Sequence, residues 1–276
     1  MKNYLSNNFD PIKLVEVFDE LPLWSAPFGL KLLEYVNYKA NSSALDIGCE
    51  AGFPLTELAM RMGPGSKVYG IDPWKDAMQR AKKKIDFYDI HNVELIDGSA
   101  EKIPLPDESL DLITCNNGIN NIADIQTVYG ECFRTLKSGG QFIQTMNTDQ
   151  SMIEFYNILE EVFSELKLSD SIRAMKLHIY EKRKPVEEIL DLLIKYGFEC
   201  KEIVKDEFQY SFSNGTALLN HYFIRLAFMD SWIKLLPENR IEEIFTEAEH
   251  RMNEQSVKHG NFKLTIPFVL YNSIKL

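Results

Sequence analysis

The chain contains 276 residues with a formal net charge of −11 and an isoelectric point near 5.0, and 45% of the residues are hydrophobic. This length suffices for one large domain or for a core with an added lid. The acidic balance works against binding to nucleic acid phosphates or anionic membranes, so we expect small molecules or proteins as partners.

Three prolines, Pro11, Pro22 and Pro27, divide residues 1–40 into short pieces. We predict that this segment is irregular and then helical, and that it covers the main fold. Residues 21–30 are apolar, aromatic and turn-prone at once, which a simple core helix would not require.

The stretch from Ala44 to Leu55 begins as a short apolar run that ends at Asp46. Gly48, Gly52 and a helix start at Thr56 follow. This is the pattern of a strand that turns sharply into a helix, with room for a ligand beside the glycine backbone. It predicts a site for a nucleotide-like ligand, although any glycine-bearing turn between a strand and a helix looks similar.

A second strand, from Lys67 to Ile71, ends in Asp72, which is 20 residues beyond Gly52. A carboxylate at the tip of the second strand accepts hydrogen bonds from both hydroxyls of a ribose. A nicotinamide dinucleotide also requires an acid here. Its glycine fingerprint, however, would need glycines at two positions where this chain has Glu50 and Phe53.

Three further strands are predicted at Val93–Ile96, Leu110–Cys115 and Gln141–Met146, with a helix from about Ile125 and a turn at Leu136–Gly140. Four asparagines follow the fourth strand: Asn116, Asn117, Asn120 and Asn121. Because ligands bind outside the carboxyl ends of parallel strands, these amides predict a neutral, hydrogen-bonding floor. An ordinary asparagine-rich turn is the alternative.

Beyond these strands the pattern changes. We predict helices at residues 151–168 and 185–196, and strands at Phe198–Tyr210 and Phe262–Ile274. A long insertion separates the two strands. The part from Ala217 to Leu236 is predicted as one buried helix that is apolar nearly all round, and Glu238–His259 as a charged outer helix. His221, Arg225, Asp230 and Lys234 interrupt the apolar helix and argue against a membrane span.

These features resemble, in their order, the motifs of class I S-adenosylmethionine-dependent methyltransferases. Asp46, Gly48 and Gly52 match the first motif, in which Glu50 replaces the usual middle glycine. The loop from Asp97 to Pro106 resembles the family's third loop, with Ser99 in place of its aspartate. The loop at Asn116–Asn121 and the turn at Leu136–Gly140 resemble those of quinone-biosynthesis methyltransferases.

The resemblance implies an α/β fold, namely a doubly wound, Rossmann-like, seven-stranded sheet with an antiparallel last strand and a helical lid insertion. The expected domains are an N-terminal helical cover at 1–40, a core at 41–213 and 261–276, and a helical insertion at 214–260. The insertion would serve as a lid or a dimer element.

The resemblance also implies S-adenosyl-L-methionine as cofactor and no metal. The residues expected to bind the cofactor are Asp46, Gly48, Cys49, Glu50, Gly52, Asp72, Pro73, Trp74, Gly98, Ser99, Ala100 and Asn116. The residues expected to bind the substrate are Trp24, Phe28, Asn117, Asn120 and Asn121. For Trp24 and Phe28, packing against the sheet edge is the open alternative.

Methyl transfer is an in-line displacement that needs alignment and exclusion of water, and no single catalytic residue is demanded. His178, Tyr180, Tyr210 and His221 are candidates for a base or a substrate contact, with helical packing as the alternative. The sequence names no methyl acceptor.

The expected function is therefore methyl transfer to a small, partly apolar molecule enclosed by residues 20–30 and 213–260. The alternatives are an inactive cofactor-binding or protein-interaction module and, third, a nicotinamide-dependent dehydrogenase. Four scattered cysteines, Cys49, Cys115, Cys132 and Cys200, show neither metal spacing nor a disulfide framework, and no signal peptide is recognised. We expect a cytoplasmic protein, without a membrane span or bound nucleic acid, that can form a homodimer.

Overall fold

The computed structural model describes residues 2–6, 14–16 and 24–276. Within these ranges the strands are β1 Ser43–Ile47, β2 Lys67–Asp72, β3 Val93–Asp97, β4 Leu110–Asn116, β5 Leu136–Asn147, β6 Phe198–Phe212 and β7 Phe262–Lys275. The α-helices are α1 Ser25–Tyr35, α2 Leu55–Met62, α3 Lys75–Phe87, α4 Ile125–Thr135, α5 Ile153–Glu165, α6 Ser169–Lys182, α7 Val186–Lys195, α8 Gly215–Asn220, α9 Tyr222–Ile224, α10 Asp230–Ile233 and α11 Ile241–His259. Short 3-10 turns lie at Asn3–Leu5, Ile119–Asn121 and Glu238–Arg240, and a π-helical turn lies at Arg225–Met229.

The strands form one seven-stranded sheet in the order β3-β2-β1-β4-β5-β7-β6. Strands β1 to β5 pair in parallel, and β7 pairs antiparallel with β5. The chain order reverses between β1 and β4, which is the switch point where open α/β sheets bind ligands. The predicted Rossmann-like sheet with an antiparallel final strand is confirmed.

Both faces of the sheet are covered, because alternate side chains of β1 enter different hydrophobic clusters. Leu45 and Ile47 pack in one cluster and Ala44 in the other. A strand that is buried on both faces reads as a continuous apolar run, which is why β1 and β2 are visible in the sequence.

The start of β5 differs from the prediction. The strand begins at Leu136, which pairs with Leu110, and the pairing then jumps so that Gln141 lies opposite Leu112. The predicted turn is thus an irregularity inside a longer strand. Gly139 adopts a φ of +72°, a conformation that glycine tolerates.

The described chain divides into two compact units. The sheet unit contains residues 14–16 and 24–147 together with Lys184–Asp206 and Phe268–Leu276. The helical unit contains residues 2–6 together with Thr148–Arg183 and Glu207–Pro267. Strands β6 and β7 each continue along the chain from one unit into the other. The division into a cover, a core and an insertion stays a prediction.

The prediction of a single helix from Ala217 to Leu236 is wrong. His221 has a ψ of 128°, so the helix stops at Asn220 and a new one begins at Tyr222. Asn214 caps the first piece, since its side chain accepts a hydrogen bond from the backbone N–H of Ala217 at 2.8 Å.

Within the helical unit, α11 is amphipathic, whereas the sequence predicted a charged outer helix that lies over the fold as a solvated cover. Ile244, Phe245, Ala248 and Met252 are buried, and the helix packs against α5 and α8. Among the described residues, no helix is both long enough and apolar enough to cross a membrane.

Candidate functional site

The turn after β1 carries three residues in the left-handed region of backbone conformation: Gly48 with φ +74°, Glu50 with φ +40° and Gly52 with φ +102°. The backbone N–H of Gly48 donates to the carbonyl oxygen of Ile71 at 2.9 Å and ties the turn to β2. A Cβ atom at Gly48 would lie 3.7 Å from the Cα atom of Gly118, so the turn and the loop after β4 approach each other closely. The predicted cradle is therefore formed by neighbouring backbones at the carboxyl edge of the sheet.

Asp72 connects this turn to the start of α3. Its Oδ2 accepts a hydrogen bond from the backbone N–H of Glu50 at 3.1 Å, and its Oδ1 accepts one from Trp74 at 2.7 Å. The side chain is buried, and Pro73 between the two segments is exposed. Asp72 therefore holds the turn and the start of α3 together.

Three carboxyl groups, those of Asp46, Glu50 and Asp72, are close enough to influence one another. Burial, followed by the negative charges of Asp72 and Glu50, raises the pKa of Asp46 to about 7, against the lowering effect of a hydrogen bond from Thr114. Burial, followed by the charge of Asp72, raises the pKa of Glu50 to about 7. Burial also raises the pKa of Asp72, against the two backbone hydrogen bonds. A positively charged ligand would stabilise the ionised forms of all three groups.

Glu50 is not a glycine, so its left-handed backbone conformation costs about 1–2 kcal/mol. Its side chain is partly buried. Cys49 is fully buried and packs toward β2, because a Cβ atom at Gly70 would lie 2.9 Å from its Sγ.

The loop after β3 lies beside Asp72. The backbone N–H of Gly98 donates to the carbonyl oxygen of Asp72 at 3.2 Å. Ser99 Oγ donates to the carboxylate of Glu101 at 2.9 Å, and Ala100 is buried. Asp97 points away, since its carboxylate pairs with Lys75 at 2.8 Å.

The loop after β4 is held by its own asparagines. Asn116 Nδ2 donates to the carbonyl oxygen of Ser25 at 3.0 Å, and its Oδ1 accepts from Thr145 Oγ1 at 3.1 Å. Asn116 therefore ties the start of α1 to β5. Asn117 and Asn120 form a network with Asn147, and Asn121 is exposed.

Sequence reasoning missed Thr145 and Asn147 at the carboxyl end of β5. The signal that selected Asn116, a polar residue directly after a buried strand, applies equally to Asn147.

Trp24 and Phe28 lie near this edge with different environments. Trp24 is half-buried, and its ring meets that of Phe28 at 5.7 Å. Phe28 is fully buried and packs edge to face on Phe268 at 4.9 Å, which supports the packing alternative for this residue. The preceding residues 21–23 lie outside the described ranges.

The four candidates for a base belong to the helical unit. His178 and Tyr180 are on α6, where burial and the neighbouring positive charges of Arg183 and Lys182 lower the pKa of His178. Burial raises the pKa of Tyr210 to about 12 and lowers that of His221. The ring centroid of Phe212 lies 6.4 Å from that of Tyr210 and 5.4 Å from that of His221.

A cavity of about 210 Å³ lies at the opposite, amino-terminal edge of the sheet and includes Ser42, Asp111 and Asn272 in its lining. It contains none of the predicted site residues. We place the candidate site at the carboxyl edge, because the turn, Asp72 and the asparagines meet there. The described residues contain no group of three or more His, Cys, Asp or Glu side chains arranged for a metal ion.

Comparison with known proteins places these features in context. The profile of the protein family described as "Methyltransferase domain" matches residues 38–216. A demethylmenaquinone methyltransferase from Geobacillus sp. (strain WCH70) is 32% identical over 123 residues, which cover 45% of this chain and 53% of that protein. A demethylmenaquinone methyltransferase from Lactococcus lactis subsp. lactis (strain IL1403) is 27% identical over 229 residues, covering 80% of this chain and 86% of that protein.

Among solved structures, phosphoethanolamine N-methyltransferase 2 from Haemonchus contortus in complex with S-adenosyl-L-methionine has a TM-score of 0.59 at 16% identity. The superposition covers 99% of this chain and 59% of that chain. This likeness establishes the fold. The chain spans about half the length of two curated relatives from Geobacillus, 53% of one and 47% of the other.

Proposed function

We propose, from the premise that the chain belongs to the methyltransferase-domain family, that it transfers a methyl group from S-adenosylmethionine to a small, partly apolar molecule. The family match confirms the resemblance to class I methyltransferases that the sequence motifs indicate. One observation carries the proposal. The glycine turn after β1, Asp72 and the loop after β4 converge at the carboxyl edge of the sheet, at its switch point.

The residues present fit the cofactor. Each oxygen of Asp72 accepts one backbone hydrogen bond and keeps a second lone pair, which suits a pair of ribose hydroxyls. The missing side chain at Gly48 leaves the turn open for a close backbone approach. The three carboxyl groups suit a ligand that carries positive charge.

In this proposal Asp72 holds the ribose, the turn from Gly48 to Gly52 faces the methionine end, and Trp74 and Ser99 flank the adenine. When bound, the cofactor supplies an electrophilic methyl group on a sulfonium sulfur. The chain's own residues align the acceptor and keep water away, since these are the main tasks in an in-line displacement.

The acceptor is proposed to be small and partly apolar. Two relatives carry the name demethylmenaquinone methyltransferase, which makes a quinol a reasonable first acceptor to test. The uncharged asparagine loop supports a neutral acceptor in preference to an anionic one.

Calorimetric titration with S-adenosylmethionine and S-adenosylhomocysteine tests the cofactor, and turnover with a panel of thiols, phenols and quinols tests the reaction. We expect binding of both cofactor forms and methylation of at least one acceptor class. Absence of binding of both cofactor forms to pure, folded protein would contradict the proposal.

A second candidate is an inactive module that binds the cofactor or a protein. The two departures from the family motif, Glu50 and Ser99, favour it. Mass spectrometry of ligand retained through purification, followed by the acceptor panel, separates the two functions, because robust methylation excludes a binding-only role. The third candidate is a dehydrogenase, which would be stabilised against thermal unfolding by bound NAD or NADP. Absence of such stabilisation would remove this candidate.

We also propose a cytoplasmic protein that forms a homodimer and binds no nucleic acid. The free thiols of Cys49, Cys115, Cys132 and Cys200 support a reducing compartment, and the net charge of −11 opposes binding to phosphates. The strongly exposed Val257 on α11 supports an apolar contact with a second copy. Sedimentation velocity of the wild type and of Val257→Glu tests the dimer, and a monomeric wild type would contradict it.

A further inference from the structure

Asparagine side chains join the carboxyl ends of β4 and β5. The backbone N–H of Asn117 donates to the carbonyl oxygen of Thr145 at 3.0 Å, and Asn117 Oδ1 accepts from the backbone N–H of Asn147 at 3.0 Å. Asn120 completes the network, because its Nδ2 donates to Asn117 Oδ1 at 2.9 Å and also to Asn147 Oδ1. Both hydrogens of the Asn120 amide are thus used within the protein.

This network fixes which way the Asn120 amide points. The nitrogen and oxygen of a carboxamide can exchange places only if the neighbours accept the exchange. Turning the Asn120 amide over would set its Oδ1 against two other carboxamide oxygens, those of Asn117 and Asn147. Asn120 Oδ1 is therefore held as a hydrogen-bond acceptor in one direction.

That acceptor atom lacks a partner. Asn120 Oδ1 is buried and accepts no hydrogen bond from the part of the chain that the structure describes. A buried acceptor left unsatisfied is unfavourable, and protein sites with this property are usually completed by a bound molecule or an ordered water.

The position and charge of this atom indicate the kind of group that completes it. Asn120 follows Gly118, the residue that faces Gly48 across the cofactor turn. The side chains joined in the network, those of Asn117, Asn120 and Asn147, are uncharged carboxamides, so no carboxylate within the network balances the charge of an ammonium group. A neutral donor, such as a hydroxyl group, therefore fits Asn120 better than an ammonium group does.

The start of α1 lies beside the loop that carries the network. Asn116 Nδ2 binds the carbonyl oxygen of Ser25, which places the start of α1 next to the asparagines. Trp24, the residue before Ser25, is only half-buried although its ring contacts that of Phe28.

We propose that Asn120 Oδ1 accepts a hydrogen bond from a hydroxyl group of the methyl acceptor, and that it selects hydroxylated aromatic acceptors such as a quinol. This inference rests on the proposed function and names the substrate class of the same site. Asn117 and Asn147 act as positioning residues, because they hold the Asn120 amide in its accepting orientation.

The test compares naphthohydroquinone with its dimethyl ether, which has the same ring but no hydroxyl donor. Each is titrated under anaerobic, reducing conditions into protein saturated with S-adenosylhomocysteine. We expect the wild type to bind the hydroquinone at least about 10-fold more tightly than the ether, and Asn120→Ala to reduce this preference to within about 2-fold.

Two further variants test the positioning role of Asn147 and serve as a control. Asn147→Ala leaves Asn120 Oδ1 in place but removes one of its two anchors, and should lower the preference only in part. Gln150→Ala, at an exposed position beyond the end of β5, should leave the preference unchanged. Affinity for S-adenosylhomocysteine, measured for every variant, should stay within about 2-fold of the wild type, which shows that the cofactor site is intact.

Any of three results with Asn120→Ala would overturn the inference. These are an unchanged preference, equal weakening of the binding of both probes, and loss of affinity for S-adenosylhomocysteine, which would make Asn120 a cofactor residue. A wild type that methylates another acceptor but binds neither probe also overturns it and leaves the proposed function standing. A wild type that binds neither form of the cofactor overturns the proposed function itself.

Discussion

At the scale of single residues, the candidate site depends most on Asp72. Asp72→Asn removes the negative charge and sets an amide nitrogen against a backbone N–H of either Glu50 or Trp74. Because hydrogen bonds to charged groups are worth about 1.5–3 kcal/mol each, we expect affinity for S-adenosylhomocysteine to fall by about 10- to 100-fold. Calorimetric titration measures this change.

The matched control is Asp97→Asn at the end of the neighbouring strand. The Asp97 carboxylate is exposed and pairs with Lys75. Loss of the Asp97 charge should leave the affinity for S-adenosylhomocysteine unchanged. Equal effects of the two substitutions would contradict a specific role for Asp72.

We expect Glu50 to make cofactor binding depend on pH. Its pKa of about 7 is above the ordinary value, so the side chain releases its proton as the pH rises through 7. S-adenosylmethionine carries a positive sulfonium that favours the ionised carboxylate, and S-adenosylhomocysteine does not. We therefore expect affinity for S-adenosylmethionine to increase between about pH 6 and pH 8, by more than that for S-adenosylhomocysteine.

Glu50→Gln tests this assignment, because it keeps the size of the side chain and removes its titration. The difference between the two cofactor forms should then change less with pH, with Asp46 supplying the remaining dependence. An unaltered pH profile in Glu50→Gln would show that the Glu50 carboxylate does not face the cofactor.

At the scale of secondary structure elements, two glycines in helix interiors have opposite roles. Gly29 in α1 has no room for a side chain, since a Cβ atom there would lie 2.4 Å from the ring of Phe53. Gly130 in α4 has room, because the corresponding distance to the ring of Tyr196 is 3.6 Å.

Substitution by alanine should therefore stabilise the protein at one of these positions and destabilise it at the other. Gly130→Ala should raise the free energy of unfolding by about 0.5–1 kcal/mol, the intrinsic helix preference of alanine over glycine. Gly29→Ala should lower it despite the same preference, because α1 must shift from Phe53. Denaturant unfolding of both variants measures the contrast, and stabilisation by both would show that α1 packs differently.

Elements that are buried on both faces could be predicted from the sequence, whereas elements that depend on contacts between residues distant in sequence could not. The bounds of β1 and β2 follow from apolar runs, and Asp72 follows from its place after such a run. The prediction of one helix across His221 is wrong because the residues there are apolar on every face of the helix. Their hydrophobic pattern has no periodicity that would show where the helix breaks. The hydrogen bond between Asn120 and Asn147 joins residues 27 positions apart in the sequence, and no local sequence pattern predicts a contact at that separation.

At the scale of the whole molecule, a ligand that binds only the folded chain stabilises it by mass action. With S-adenosylhomocysteine at about 100 times its dissociation constant, the added stability is about 2.7 kcal/mol. For a chain of this size we expect the midpoint of thermal unfolding to rise by at least about 2 °C. Differential scanning calorimetry measures the shift, and NAD at the same concentration should produce none.

The asparagine network also has a consequence for the protection of backbone amides against solvent hydrogens. Asn117 and Asn147 lie at the ends of strands, where amide protons ordinarily exchange quickly because strand ends fray. Here the Asn117 amide donates to Thr145 and the Asn147 amide donates to a side chain that is itself anchored. Both amides should exchange as slowly as those in the centre of β4, and Asn120→Ala should speed the exchange of Asn147 most. Deuterium uptake followed by mass spectrometry would reveal whether the floor of the site is already rigid before any ligand binds.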